Sequence, residues 1–173
     1  LDEDNMITVY LPATDSDGDA LTVNIVNQPI NGMLEFEGIA TTYMPNANFN
    51  GYDSFTFIAN DGEFDSNIAT VSLIVNPVND APWLDDMPDA EIESSFPYTQ
   101  ELSASDVDGD DLTYSLVSDP TNGTVSLTES KVTYVPSAGY FGSDSFTFKV
   151  NDGTIDSEKG TVSITVTSND LDE

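Results

Sequence analysis

The chain has 173 residues, with 32 acidic side chains against three basic ones and a formal net charge of −29 at pH 7. Nucleic acid is therefore an implausible partner, because binding it depends on Lys and Arg that neutralise phosphates, and an anionic membrane surface would repel the chain. So acidic a surface also repels itself unless cations bind or screen it.

The absence of Cys and His narrows the chemistry further. It removes disulfides, thiol nucleophiles, thiolate zinc sites and the usual general base. Carboxylate and carbonyl oxygens remain, and these favour hard cations, with calcium ahead of magnesium. No apolar run is long enough to span a membrane, so we expect no membrane insertion. The chain begins at Leu1 without a charged and apolar leader, and we interpret it as part of a longer, secreted protein.

Short runs rich in Val, Ile, Thr, Tyr and Phe follow one another along the chain, bounded by Gly, Pro, Asn and Asp. This pattern predicts strands, and no segment sustains the 3.6-residue apolar period of a helix. The predicted strands of the first half are 6–11, 21–26, 33–36, 41–44, 54–59 and 69–75. Those of the second half begin at Thr99, Leu112, Val125, Lys131, Ser145 and Gly160.

The two halves are copies of one another. Residues 15–19 (DSDGD) return as residues 106–110 (DVDGD), and the shift of 106 − 15 = 91 residues holds along almost the whole chain. Other segments that the shift superposes are 21–22 on 112–113, 31–32 on 122–123, 53–57 on 144–148, and 60–62 on 151–153. A unit of about 90 residues can close its own core, unlike the shorter periods of solenoids. We therefore predict two domains, 1–80 and 81–173, with the first strand of the first domain truncated.

Short strands with turns every 8 to 12 residues or so predict an all-β chain of two tandem immunoglobulin-like Greek-key β-sandwiches. Asn31-Gly32 and Asn122-Gly123 are predicted as tight turns with positive φ. The predicted core residues are Phe55, Phe57, Val71, Leu73 and Val75 in the first domain and Phe146, Phe148, Val162, Ile164 and Val166 in the second.

The Asp-x-Asp-Gly-Asp segments favour a metal site. Alternate side chains can point the same way, and the glycine lets the backbone curl so that carboxylates converge. Converging carboxylates repel one another unless a cation lies among them. An EF-hand does not fit, because its sixth position should be Gly and is Ala20 or Asp111, and its twelfth should be Glu and is Val26 or Val117.

The motifs in their order resemble the cadherin-like tandem repeats of large bacterial surface proteins and adhesins, over nearly the entire chain. They are Asp-x-Asp-Gly-Asp, Leu-Thr, Asn-Gly, the segment 45–57 (PNANFNGYDSFTF), Asn-Asp-Gly and the linker 76–82 (NPVNDAP). Cadherins bind calcium between successive domains, so the resemblance implies a junction site that draws on both copies. The ligands that it implies are Glu3 and Asp53 of the first domain, Asn79 and Asp80 of the linker, and Asp106, Asp108 and Asp152 of the second domain.

The equivalent first-domain residues, Asp15, Asp17 and Asp61, face no upstream neighbour and are expected to bind weakly. The linker also departs from the cadherin pattern, with Pro77 in place of an aspartate and Ala81 in place of an asparagine, which implies fewer ions or weaker binding.

Structural interpretations of the same residues remain open. The acidic loops can be solvated turns in which Asp caps its own backbone. Asp53 can form a turn at the start of a strand, and Asp61 and Asp152 can belong to a hairpin turn. Trp83 beside the linker favours packing between domains over stacking on a sugar ring.

These patterns predict a non-enzymatic, calcium-binding tandem module of an extracellular surface protein or adhesin, acting as a calcium-stiffened spacer or a cell-adhesion region. Its expected partners are calcium and neighbouring repeats, and another cell-surface protein or a glycan stays open as an adhesive partner. The alternative is a carbohydrate-binding module. A hydrolase would need two acids at a set spacing, and no such pair is singled out by the sequence.

Overall fold

The structure is a computed structural model that describes residues 1–168, and these residues form strands without any helix. No helix in this part of the chain could cross a membrane. The chain divides into two compact units, Leu1–Val78 and Asn79–Glu173. The predicted boundary lay two residues later, and residues 169–173 of the predicted second domain lie outside the described residues.

The first domain is built from two three-stranded sheets. Its strands are β1 (Ile7–Tyr10), β2 (Thr22–Asn27), β3 (Gly32–Glu37), β4 (Ala40–Pro45), β5 (Gly51–Asn60) and β6 (Ala69–Val75). One sheet has the order β1-β4-β3 and the other the order β2-β5-β6. All pairings between these strands are antiparallel.

The second domain repeats this arrangement and has three additional short strands. Its strands are β7 (Trp83–Leu84), β8 (Ala90–Glu93), β9 (Tyr98–Glu101), β10 (Ala104–Ser105), β11 (Thr113–Ser118), β12 (Gly123–Thr128), β13 (Lys131–Pro136), β14 (Gly142–Asn151) and β15 (Gly160–Thr167). They form the sheets β11-β14-β15-β8 and β12-β13-β9, with the short pair β10-β7 beside them. The pairing of β9 with β13, which are separated in the chain by β10, β11 and β12, is typical of an immunoglobulin-like sandwich.

The core of each domain lies between its two sheets. Side chains alternate along the strands, so that every second residue of β5 and β14 points inward. All ten predicted core residues pack in these cores, and Val71 alone among them is half-buried. The prediction of two immunoglobulin-like β-sandwiches is confirmed.

The segment that pairs in parallel with the last strand differs in length between the two domains. In the second domain, β8 pairs in parallel with β15 over four residues. In the first domain, Asp2 forms a single parallel bridge to Asn76 at the corresponding place.

The prediction that the Asn-Gly pairs are turns with positive φ is wrong. Neither Gly32 nor Gly123 has positive φ, and each begins a strand, β3 or β12. The reason for glycine is space: a Cβ on Gly123 would lie 2.3 Å from Cε2 of Tyr134, and one on Gly32 would lie 2.4 Å from the same atom of Tyr43. Glycine therefore lets a buried tyrosine ring lie directly against the strand.

Candidate metal centre

The loop that contains Asp106 connects β10 to β11 and is folded around one carboxylate oxygen. Oδ1 of Asp106 accepts hydrogen bonds from the backbone N–H groups of Asp108 at 2.9 Å, Gly109 at 3.0 Å and Asp110 at 3.3 Å. Gly109 has a φ of 80°, a conformation that glycine adopts without strain. The curled backbone expected from the sequence is therefore present.

The other oxygen of the same carboxylate, Oδ2 of Asp106, is buried and accepts no hydrogen bond from the described residues 1–168. A buried carboxylate oxygen without a donor is unfavourable, because it has lost water and gained nothing in exchange. A cation beside this oxygen would supply the missing interaction.

Three carboxylates converge at this loop. One oxygen each from Asp106, Asp108 and Asp110 can be chosen so that all lie within 4.8 Å of one another, and this is the one such group in residues 1–168. Desolvation raises the pKa of Asp110, and the negative charges of Asp106, Asp108, Asp152 and Asp111 raise it further. Asp110, the third aspartate of the motif, is not among the ligands predicted from the sequence.

The linker residues Asn79 and Asp80, which belong to the second unit, contact the acidic loops of that unit. The side-chain amide of Asn79 donates to Oδ2 of Asp152 at 2.8 Å, and the backbone N–H of Asp80 donates to Oδ2 of Asp108 at 2.8 Å. The structure thus brings five of the predicted ligands, Asn79, Asp80, Asp106, Asp108 and Asp152, into one linked cluster.

Asp152 lies in the hairpin loop between β14 and β15. Its Oδ1 accepts hydrogen bonds from the backbone N–H groups of Thr154 and Ile155, each at 2.6 Å. The hydrogen bond from the backbone of Ile155 lowers the pKa of Asp152, and the hydrogen bond from Asn79 lowers it further. Together they outweigh partial desolvation, which acts in the opposite direction. The carboxylate is therefore held ionised and oriented toward the linker.

The equivalent loops of the first domain have the same backbone shape. Oδ1 of Asp15 accepts from the N–H groups of Asp17, Gly18 and Asp19. Oδ1 of Asp61 caps its own turn in the same way, through Glu63 and Phe64. Their carboxylates nevertheless do not form a group of three that could hold an ion, unlike those of the second domain.

Asp53 has a different environment from the other predicted ligands. Its Oδ1 accepts from the backbone N–H groups of Ile30 and Ser54, and its Oδ2 accepts from the N–H of Asn31 and the hydroxyl of Tyr43. A carboxylate has about four lone-pair sites, so these donors fill them all. Asp53 holds its own domain together and has no oxygen free for a cation.

Glu3 is buried within the first domain. Its Oε1 accepts from the backbone N–H of Val78 at 2.5 Å, and its Oε2 lies 3.4 Å from the amide nitrogen of Asn50. In this arrangement Glu3 ties the end of the domain to its beginning.

Comparison with known proteins agrees with the fold. The sequence profile of the bacterial Ig domain matches residues 1–74 and 79–165, one stretch in each half of the chain. The integrin beta-like protein A of Dictyostelium discoideum is 29% identical over 176 residues, which cover 87% of this chain and 9% of that protein. The chain thus spans a small part of the length of the curated relative that it matches.

Among solved structures, the chain is similar to an endo-fucoidan hydrolase of glycoside hydrolase family 107, with 26% identity and a TM-score of 0.42, over 96% of this chain and 26% of that one. It is also similar to the extracellular cadherin domains 1–5 of protocadherin gamma B2, with 15% identity and a TM-score of 0.49, over 100% of this chain and 42% of that one.

Proposed function

The chain belongs to the bacterial Ig domain family, and from this premise we propose that it is a non-enzymatic, calcium-binding tandem module of an extracellular surface protein or adhesin. Calcium stiffens the linker, so that the module serves as a spacer or as part of a cell-adhesion region. The observation that carries the proposal is the convergence of the Asp106, Asp108 and Asp110 carboxylates at a loop where Oδ2 of Asp106 is buried and accepts no hydrogen bond from residues 1–168.

The donors at this site fit calcium. The ion takes six to eight oxygen ligands in flexible geometry, whereas magnesium demands a near-ideal octahedron and keeps much of its water. Exposed aspartates and a linker can adjust to the larger ion, and water can complete its shell. The residues proposed to hold it are Asn79, Asp80, Asp106, Asp108, Asp110 and Asp152.

Electrostatic repulsion between the carboxylates also favours binding of a divalent cation at this site. Five of these six residues carry a negative charge, within a chain whose net charge is −29. Their mutual repulsion opposes the compact state, and one divalent cation relieves much of it. Bound calcium therefore stabilises the second domain at the loops that hold the linker.

The position of Asn79 and Asp80 supports the spacer role. These residues belong to the linker and contact the loops of Asp152 and Asp108. A cation shared by linker and loops restricts the linker, which in a chain of domains is otherwise mobile. Neighbouring repeats of the parent protein are the expected partners of such a module.

A carbohydrate-binding module is the second candidate, and one observation favours it. The side chain of Trp83 is 50% exposed, and it lines an open groove of about 640 Å³ in the second domain. An exposed indole can stack on a sugar ring. Binding to a glycan array that is lost in Trp83→Ala would establish this function in place of a purely calcium-dependent one.

Calorimetric titration with calcium tests the proposal, with the wild-type chain beside two double variants at matched ionic strength. We expect Asp106→Asn with Asp108→Asn to abolish the heat of binding. The matched control, Asp15→Asn with Asp17→Asn, changes the same residue types at the same register in the first domain and should leave the main binding event intact.

The proposal fails if the wild-type chain gives the same melting curve in calcium as in chelator. It also fails if the first-domain variant, and not the second-domain variant, loses calcium binding.

A further inference from the structure

Three methionines lie side by side across the sheet β1-β4-β3 of the first domain. Met44 of β4 lies directly opposite Met33 of β3. On the other side of β4, Ile7 pairs with Tyr43 at the start of β1. One residue further in the same antiparallel register, Met6 lies opposite Met44. The middle strand therefore carries one methionine with another on each side of it.

These three side chains point away from the core. The hydroxyl oxygens of Thr8 and Thr42 lie 3.0 Å apart on the exposed face of the sheet. Met6 and Met44 are two residues away along the same two segments, and the two-residue period of a strand puts them on that face as well. Met6 is 68% and Met33 is 64% exposed, so these two thioethers lie in solvent, outside the core.

The geometry of the sheet lets the three sulfur atoms meet. Side chains directly opposite each other on neighbouring strands have Cβ atoms about 4.5–5.5 Å apart. A methionine side chain is unbranched and rotates about three bonds, and its sulfur is polarisable. The flanking Met6 and Met33 can therefore turn their sulfur atoms toward one point above Met44.

The second domain has the same face without the sulfur. The shift of 91 residues superposes the three methionines on Pro97, Thr124 and Val135. Thr124 lies opposite Val135 in the same register, and Thr and Val are residues that fit a pleated, half-buried surface. The sandwich thus forms without methionine in this row. Packing does not explain why three of the four methionines of the chain gather there.

We propose that Met6, Met33 and Met44, which we call the thioether row, bind one Cu(I) ion. Thioether sulfur is a soft ligand that selects Cu(I), whereas calcium and magnesium take oxygen ligands. The chain has no Cys and no His, so its methionines are the soft ligands that it offers. This site lies in the first domain and does not depend on the calcium site of the second.

Charge around the row also favours a cation. Glu35 lies two residues after Met33 in β3 and is exposed on the same face of the sheet. The chain as a whole has a net charge of −29, and a surface of one sign raises the local concentration of the opposite ion. The carboxylates therefore supply the long-range attraction, and the neutral sulfur atoms supply the selectivity for a soft ion.

The test titrates the full chain, with ¹³C in the methionine methyl groups, with Ag(I) in a chloride-free buffer. Ag(I) is a soft monovalent ion that needs no reductant, and excess calcium competes for the carboxylates. We expect the methyl signals of Met6, Met33 and Met44 to shift together and to saturate at one equivalent. Met87, which packs on the core of the second domain, should not respond. Equal responses from all four methionines would overturn the proposal.

Leucine substitutions separate the sulfur atoms from the apolar surface. Exchange of Met for Leu nearly conserves volume and hydrophobicity, so it removes the ligand and keeps the face. Each substitution in the row should weaken binding of Ag(I), and of Cu(I) held by ascorbate, about tenfold or more, since loss of even an outer-shell partner costs about that much. The variants are Met6→Leu, Met33→Leu and Met44→Leu, with Met87→Leu as the control that should bind normally.

Melting curves establish that each leucine variant is folded. Unchanged affinity for both ions in the three row variants would refute the site.

Sedimentation of the metal-free chain tests a different occupant of the same face. The Cu(I) proposal expects a monomer. A concentration-dependent dimer that forms without metal, survives Met33→Leu and is abolished by Met33→Lys would identify a second copy of this chain as the occupant and would overturn the proposal.

Discussion

The hydroxyl of Tyr134 donates a hydrogen bond to Oδ2 of Asp144 at 2.9 Å, and both side chains are buried. The other three acceptor positions of Asp144 are filled by the backbone N–H groups of Thr121, Asn122 and Ser145. The first domain repeats the arrangement with Tyr43 and Asp53. This pair joins β13 to β14 across the two sheets and fixes the segment before β12, so it is a structural centre of each domain.

Removing the hydroxyl should destabilise the second domain. Tyr134→Phe leaves a buried carboxylate with three donors in place of four, and we expect a loss of about 1–3 kcal/mol of unfolding free energy. Denaturant unfolding measures it. Tyr52→Phe, on a side chain that is 80% exposed, is the control and should change little. Equal effects of the two variants would show that the buried hydrogen bond contributes nothing.

Lowering the pH should weaken the hydrogen-bonded pair of Tyr134 and Asp144. Desolvation alone would raise the pKa of Asp144, but the hydrogen bonds from Asn122, Thr121, Tyr134 and Ser145 outweigh it and lower the pKa below its ordinary value. The carboxylate therefore contributes stability that is fully present above its unfolded pKa of about 3.9 and is lost as the pH falls through the lower, folded pKa.

The measurement is the unfolding free energy against pH for the wild type and Asp144→Asn. Acid also relieves the general repulsion of a chain with net charge −29, so the difference between the two proteins is the informative quantity. We expect that difference to be constant above about pH 5 and to shrink below about pH 4. A difference that grew in acid would give Asp144 a raised pKa and contradict the assignment.

Gly123 should tolerate no side chain, for a reason that differs from that of most glycines in the chain. A Cβ at this position would lie 2.3 Å from Tyr134 and 2.7 Å from the carbonyl oxygen of Val135. Gly123→Ala must displace the ring from Asp144, and we expect it to cost about 3 kcal/mol or more, at or above the upper end of overpacking effects.

Gly139→Ala is the matched control for that substitution. Gly139 has open space around a Cβ but a φ of 77°, so alanine there meets only backbone strain, of about 1–2 kcal/mol. Thermal unfolding of the two variants separates crowding from strain. If Gly139→Ala proved the more destabilising of the two, the close approach of Tyr134 would not explain Gly123.

The strands, the domain repeat and the core could be predicted from the sequence because each rests on a local pattern. Phe146 and Phe148 alternate with polar residues, and this period alone places them inward. The local pattern of the Asn-Gly pairs predicts the wrong backbone conformation, because a tertiary contact determines the need for glycine. The need for glycine at Gly123 arises from Tyr134, which is distant along the chain, and no local pattern reports such a contact.

Some features of the candidate site are likewise encoded locally, whereas others depend on contacts that only the folded domain makes. The curl of the Asp106 loop is encoded locally by Gly109 and by the side chain of Asp106 itself. The saturation of Asp53 depends on Ile30, Asn31 and Tyr43, which only the folded sheet brings together. The difference between the first and second acidic loops likewise depends on how their carboxylates are arranged in three dimensions, although their motifs are almost identical.

The effect of Asp110→Asn on stability should change sign with calcium. Without the ion, desolvation and then the neighbouring carboxylates raise the pKa of Asp110, which means that the folded state disfavours its charge. Asp110→Asn should therefore stabilise the calcium-free chain. In calcium the same substitution removes a charged oxygen ligand and should lower the affinity several-fold, since ligand charge tunes calcium binding.

Melting curves in chelator, calcium and magnesium measure both effects, with Asp19→Asn as the matched first-domain control. A ligand at 100-fold excess over its Kd stabilises the native state by about 2.7 kcal/mol, so a loss of affinity appears as a smaller calcium-induced rise in Tm. We expect magnesium to raise the Tm of the wild type less than calcium does, because it requires stricter geometry. If Asp110→Asn raised the Tm equally in chelator and in calcium, Asp110 would be a repelled surface charge and not a ligand, and the cation would have to be held by the remaining residues alone.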